Sequence, residues 1–317
     1  MIVHVVRYQH EDKVHWGVVR GGSVTPVPGD FPTTGDFVRS ASLPQLAALD
    51  GTSIDLATVK VLSPVTHNQQ FVCQGANYRQ HMVESGVDPD TKTFNMIFTK
   101  ASSCIVPADS DVVRPTRVRF LDYEIELGLV LRRDITQPQE ITDQNLHDFI
   151  AGAVIVNDYS ARDVQIPEMQ FYKGKSFRTF GPVGPQLALF DAEDTHLLRK
   201  LTLRLKVNGK VRQQDTTANL VHGPAATLTE LSGVHDFRAG DLLATGTPAG
   251  CALSVPSPMK QRLAALVPEK ARWKLFLAMQ AKRTQYLQPG DVVEASIRSD
   301  DGRLDLGVQR NLIIAER

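Results

Sequence analysis

The chain has 317 residues, and its 35 Lys and Arg balance 35 Asp and Glu, so the formal net charge is zero. This excludes whole-molecule attraction to nucleic acid or to an anionic membrane as an organising principle. Apolar residues at 42% and charged residues at 22% place the chain among globular proteins and exclude a disordered one.

The N-terminus, Met1-Ile2-Val3-His4-Val5, lacks the basic start and longer apolar core of a signal peptide. No apolar run reaches the roughly 20 residues that cross a bilayer. Cys73, Cys104 and Cys251 have no CxxC spacing, so reduced thiols and a cytoplasmic protein are expected. Residues 1–62 read as short strands forming a small N-terminal β-rich domain. Val14, Trp16 and Val18 alternate with His15 and Gly17, and 20–23 supply a turn. Residues 43–49 can form a short helix, with Pro44 tolerated in its first turn.

A main domain is expected over 63–317. Residues 71–75 form a strand ending in Gly75. Beyond it His81 and Glu84 stand three apart, neighbours on one face of a helical turn. Residues 87–93 read as a mobile loop, 95–100 as a strand and 142–149 as a helix capped near Thr142. The run 122–131 is strand-like, with Glu124 and Glu126 two apart and so on one side. Two acids on an edge strand ordinarily mean a solvated face. Asp158 changes the balance, because it closes the apolar run 153–157 and opens Asp-Tyr-Ser-Ala-Arg-Asp. Three carboxylates suit a hard cation, Mg²⁺ or Mn²⁺, with Ca²⁺ also able to bind. Arg162, Gln165 and Lys175 add an anion-binding rim.

Further on, Leu201, Leu203, Leu205 and Val207 alternate with polar residues, and Asn208-Gly209 is a hairpin turn. Residues 225–231 read as a short helix. Residues 240–250 form a strand running into the turn Thr245-Gly246-Thr247-Pro248-Ala249-Gly250. There Thr247 is either a turn residue or a hydroxyl that holds a carboxylate. Cys251 reads as a buried bystander. The segment 259–286 is rich in Lys and Arg with Glu269 its only acid, and Pro268 splits it into two amphipathic helices. A lid or a subunit contact is its expected role.

In this order the pieces Asp122-Tyr-Glu-Ile-Glu-Leu, Asn157-Asp-Tyr-Ser-Ala-Arg-Asp-Val-Gln165, Gly174-Lys-Ser-Phe177, Gly181-Pro-Val-Gly-Pro185 and Thr245-Gly-Thr-Pro-Ala-Gly250 resemble the fumarylacetoacetate hydrolase family. The resemblance covers about 60–255 and 287–314. It implies an α+β, β-rich fold, a mixed β-roll behind the small N-terminal domain, commonly as a homodimer. It implies Mg²⁺ or Mn²⁺ held by Glu124, Glu126 and Asp158, with Lys175 beside the metal and Arg162, Gln165, Tyr78 and Thr247 on the substrate. His81 and Glu84 correspond to a His–Glu dyad on a mobile lid. An insertion at about 253–287 departs from the family pattern, as does Arg178 where relatives often carry an acid. The leading expectation is hydrolytic cleavage of a C–C bond in a small 1,3-diketo acid such as an acylpyruvate. The alternative is a metal-dependent decarboxylase, tautomerase or isomerase of a 2-oxo acid. A non-catalytic binding protein on the same scaffold is a third reading, disfavoured by the joint presence of acids, lysine and dyad.

Overall fold

The computed structural model describes residues 1–86, 88–90, 94–255 and 267–317. Among these, eleven strands form one mixed sheet. From Ile2–His10 to one edge it runs Ile2–His10, Leu187–Phe190, Ile150–Asn157, Ile125–Leu131, Leu242–Ala244, Phe71–Gly75 and Met96–Lys100. Leu242–Ala244 pairs parallel with Phe71–Gly75 and antiparallel with Ile125–Leu131. A second, five-stranded sheet runs Lys210–Thr216, Leu201–Val207, Val292–Ser299, Asp305–Ala315 and Val112–Arg114.

The burial patterns explain the layering. Leu201–Val207 buries every second residue, and its Leu201, Leu203 and Leu205 share one core with Leu127 and Leu129 of the larger sheet. Ile125–Leu131 and Ile150–Asn157 are buried along their whole length, because both faces of the sheet are covered there. Such strands read as continuous apolar runs rather than alternating ones. Asn208 and Gly209 both take positive φ, 50° and 76°, as the tight turn of the hairpin requires.

The N-terminal strands form a small β-rich unit with Trp16 stacked on Phe37 at 4.0 Å. Ile2–His10 also pairs with Leu187–Phe190, so this unit extends the main sheet. The helices Leu43–Ala47 and Pro224–Ser232 form where the sequence places them.

The helix expected over 142–149 is reduced to the 3₁₀ turn Leu146–Asp148. Asn145 is the physical reason. Its Oδ1 accepts from Thr142 N at 2.7 Å and its Nδ2 donates to Glu140 O at 3.1 Å, bonds that compete with helical ones. Of the basic segment, Glu269–Gln280 is helical; its first half lies outside the described residues, as do 87 and 91–93 of the expected loop. No helix among the described residues is long and apolar enough to cross a membrane.

Candidate active site

Sheet register builds the acid cluster. Glu126 lies on Ile125–Leu131, Glu124 stands just before that strand, and Asp158 follows Ile150–Asn157. Antiparallel pairing of Ile125 with Asn157 brings these strand ends together, and Asp158 N donates to Glu124 O at 2.8 Å. One oxygen from each of the three carboxylates lies within 4.8 Å of the others, and all three residues are buried. The strand lies inside the sheet, so a solvated edge is not what these acids form. A buried all-oxygen donor set of this kind fits a hard divalent cation.

Three cations pack against the cluster. Lys175 Nζ lies 2.5 Å from both Glu124 Oε2 and Asp158 Oδ2, and donates to Ser160 Oγ at 2.8 Å. Lys100 Nζ sits 2.5 Å from Asp158 Oδ1 and donates to Phe180 O at 2.8 Å. Arg162 donates through Nε to Asp122 Oδ2 at 2.8 Å, through Nη1 to Gln165 Oε1 at 2.7 Å and through Nη2 to Glu124 Oε1.

These contacts split the acids electrostatically. Burial alone would push Glu124 up, but Arg162 and Lys175 outweigh it and hold the carboxyl down at about 2. Glu126 goes the other way: burial first, then Asp158 and Glu124, push it well above its ordinary value. No Lys or Arg pairs with Glu126 among the described residues; its Oε2 accepts from Gly246 N at 2.9 Å.

Lys100, Asp122 and Ser160 carry much of this geometry, yet sequence reasoning passed over them as site residues. Lys100 ends the strand Met96–Lys100, and only the neighbouring strands reveal that its end faces Asp158. Lys100→Met is expected to lower stability by at least about 2 kcal/mol in urea unfolding, because it removes one partner of a buried ion pair.

The turn after Leu242–Ala244 closes one wall. Gly246 has φ +90° and turns its N–H to Glu126; a Cβ on Gly250 would sit 2.1 Å from Arg212 O. Gln213 staples this turn, donating to Thr247 Oγ1 and Pro248 O at 2.8 Å each, while Thr247 Oγ1 donates to Ile125 O at 3.0 Å. Thr247 lines the cleft, but its hydroxyl already serves the turn.

A cleft of about 210 Å³ opens over the cluster, lined by Glu124, Glu126, Arg162, Gln165, Lys175, His81 and Thr247 among others. His81 is half-buried, and burial, opposed by Glu124, lowers its pKa, so the ring is neutral at pH 7. The expected hydrogen bond to Glu84 is not formed. Glu84 closes the short helix Arg79–Glu84, and its Oε2 accepts from Gly250 N at 3.0 Å. Nδ1 of His81 has no hydrogen-bond partner among the described residues. Tyr78 is not brought to the cleft; it is fully buried in the main core. Its neighbour Asn77 fixes the local turn through bonds to Thr245 O and His222 N at 2.9 and 2.8 Å.

Cys251 is buried, and with His81 and Glu124 it forms a second close group. Burial raises its thiol pKa well up, so the carboxylates are the better ligands for a hard cation.

A buried acid cluster with a lysine across it, at the floor of a small cleft in a β-rich α/β fold, defines an enzyme for a small molecule. Residues 70–314 match the family model for the fumarylacetoacetate (FAA) hydrolase C-terminal domain, and residues 3–64 match an Rv2993c-like N-terminal model. The chain belongs to the fumarylacetoacetate hydrolase family. It is 34% identical over 198 residues to the oxaloacetate tautomerase YisK of Bacillus subtilis, covering 62% of this chain and 64% of that protein. Among solved structures it is similar to a 2-hydroxyhepta-2,4-diene-1,7-dioate isomerase from Mycobacterium marinum, with TM-score 0.71, 25% identity and 99% of each chain covered. It is also similar to a fumarylacetoacetate hydrolase from Exiguobacterium antarcticum, with TM-score 0.72, 25% identity, and 99% of this chain and 100% of that one covered.

Proposed function

We propose that this chain is a metal-dependent enol–keto tautomerase or isomerase of a small 2-oxo acid. The observation that carries the reading is the acid cluster with Lys175 across it beside a neutral His81 that is not hydrogen-bonded to Glu84. Such a site suits proton transfer on a held enolate better than activation of water by an oriented dyad. The tautomerase and isomerase among the similar proteins support the same choice.

Glu124, Glu126 and Asp158 would hold Mg²⁺ or Mn²⁺, which when bound withdraws charge from a 2-oxo acid and lowers the cost of its enolate. Lys175 offsets negative charge developing beside Glu124 and Asp158. Arg162, itself fixed by Asp122, orients Gln165 at the cleft wall. His81 accepts the enol O–H proton and returns it to the adjacent carbon, so the reaction neither gains nor loses atoms. A homodimer and a cytoplasmic location belong to the same proposal; the three buried, unpaired cysteines suit a reducing compartment.

The expected result is metal-dependent loss of enol absorbance from 2-oxo acids, abolished by a chelator, with no carboxylic acid released. His81→Ala should slow it by about 10²–10⁴-fold. Hydrolysis of a 1,3-diketo acid is the second reading, supported by the similar hydrolase and by a neutral histidine able to take a proton from water. Release of pyruvate plus a carboxylic acid would establish that reading and end the first.

A further inference from the structure

We propose that His81, Glu124 and Cys251 form a second metal site, for a thiophilic divalent cation such as Zn²⁺, and that its occupation inhibits the enzyme. One ligand atom from each of the three lies within 4.8 Å of the others, and Cys251 Sγ stands 4.0 Å from Glu124 Oε1. Around a tetrahedral Zn²⁺, donors from Cys, His and Glu stand about 3.3–3.6 Å apart, so side-chain shifts of roughly 1 Å close them on the ion. Three protein ligands leave the fourth position to water.

The fold holds the three together. Glu84 Oε2 accepts from Gly250 N at 3.0 Å, which ties the helix Arg79–Glu84, carrying His81, to the turn that ends beside Cys251. The residues flanking the cysteine are clamped in turn: Tyr123 Oη donates to Gly250 O at 3.2 Å and Ala252 N to Asp122 Oδ1 at 2.7 Å. Gln213 Nε2 lies 3.6 Å from Sγ. Nδ1 of His81 has no hydrogen-bond partner among the described residues, so that nitrogen can take a cation without breaking a bond. His81 and Glu124 line the cleft, which gives the ion its way in.

Ligand chemistry separates the two sites. Glu124, Glu126 and Asp158 offer oxygen only and suit a hard cation, whereas sulfur and imidazole favour Zn²⁺. The groups overlap at Glu124 alone. On binding, the Cys251 thiol gives its proton to solvent as the sulfur–zinc bond forms. The thiolate charge offsets repulsion from Arg162, which already donates to Glu124 Oε1. The site stands on this geometry. The inhibition rests on the proton transfer by His81 proposed above, since a metal-bound neutral imidazole has no lone pair left to accept a proton.

The test uses Co²⁺ as an optical stand-in for Zn²⁺, titrated into the full chain in excess Mg²⁺. The expected result is a near-ultraviolet sulfur-to-cobalt charge-transfer band that Zn²⁺ bleaches. Cys251→Ser should abolish the band, although Cys73 and Cys104 remain. His81→Gln should weaken Co²⁺ binding at least about tenfold, the loss caused even by removing a hydrogen-bonded partner of a ligand. No band, a band that survives in Cys251→Ser, or unchanged affinity in His81→Gln overturns the site. The band needs no turnover, so failure of the tautomerase reading leaves it decisive. Zn²⁺ should also inhibit enol turnover by the Mg²⁺-loaded chain, with at least about tenfold more needed in Cys251→Ser. Equal inhibition of the two puts the inhibiting ion on the carboxylates and overturns the second half of the proposal. The band without inhibition upholds the site and ends proton transfer by His81 instead.

Discussion

Lys175→Met is expected to lower kcat by about 10²–10³-fold while strengthening divalent metal binding. The two effects have one cause. The Lys175 ammonium lies 2.5 Å from both Glu124 and Asp158, so it competes with a metal cation for the same carboxylates and repels it. On the proposed reading the same positive charge stabilises an enolate, so removing it should cost turnover. Methionine preserves length and the contact with Phe98, over whose ring the lysine nitrogen lies at 5.2 Å. The fold should survive, because Asp158 keeps Lys100 and Glu124 keeps Arg162. Steady-state kinetics and calorimetric metal titration read the two effects separately. Unchanged kcat would remove Lys175 from charge stabilisation, and lost metal binding would make it a scaffold for the acids.

At a pH below the raised pKa of Glu126, metal binding to the metal-free protein should expel up to about one proton, and apparent affinity should rise up to about tenfold per pH unit. Among the described residues Glu126 is the acid of the cluster without an ion-pair partner, and burial with Asp158 and Glu124 pushes its pKa well above the ordinary 4.5. Calorimetry in buffers of different ionisation heat counts the proton. The same shift sets metal-free stability. Above pH 4.5 the unfolded chain has lost a proton that folded Glu126 keeps, so its contribution falls as pH rises, by at most about 1.4 kcal/mol per unit. Glu124 acts oppositely: its contribution is present above its unfolded value near 4.5 and is lost as pH falls toward about 2. Metal should abolish the alkaline loss. A metal-free protein equally stable at pH 5 and pH 7.5, with no proton released on loading, would mean that Glu126 is ionised without the metal.

Much of the site was legible because its acids and bases cluster within short segments. Glu124 with Glu126, and Asp158 with Arg162 and Gln165, are neighbours in sequence, and side-chain alternation along a strand is a local property. The His81–Glu84 spacing was equally visible, but spacing alone does not say which acceptor or donor wins. Gly250, 166 residues from Glu84, supplies an N–H that takes its carboxylate. Tyr78 shows the same limit: its place in the motif is sequence, its burial in the core is packing.

The sequence by itself determined the strands, the hairpin at Asn208-Gly209, the family and the oxygen-rich character of the site, since these follow from periodicity, turn chemistry and residue type. Tertiary structure alone decided that Lys100 shares Asp158 with Lys175, that Asp122 anchors both Arg162 and the backbone N–H groups of Ala252 and Leu253, and that Leu253 reaches the cleft. The physical reason is range. Hydrogen bonding to the nearest strand or turn is set by a few residues, whereas burial forces a carboxylate to find its partner 58 or 130 positions away, a lysine in one case and a backbone amide in the other.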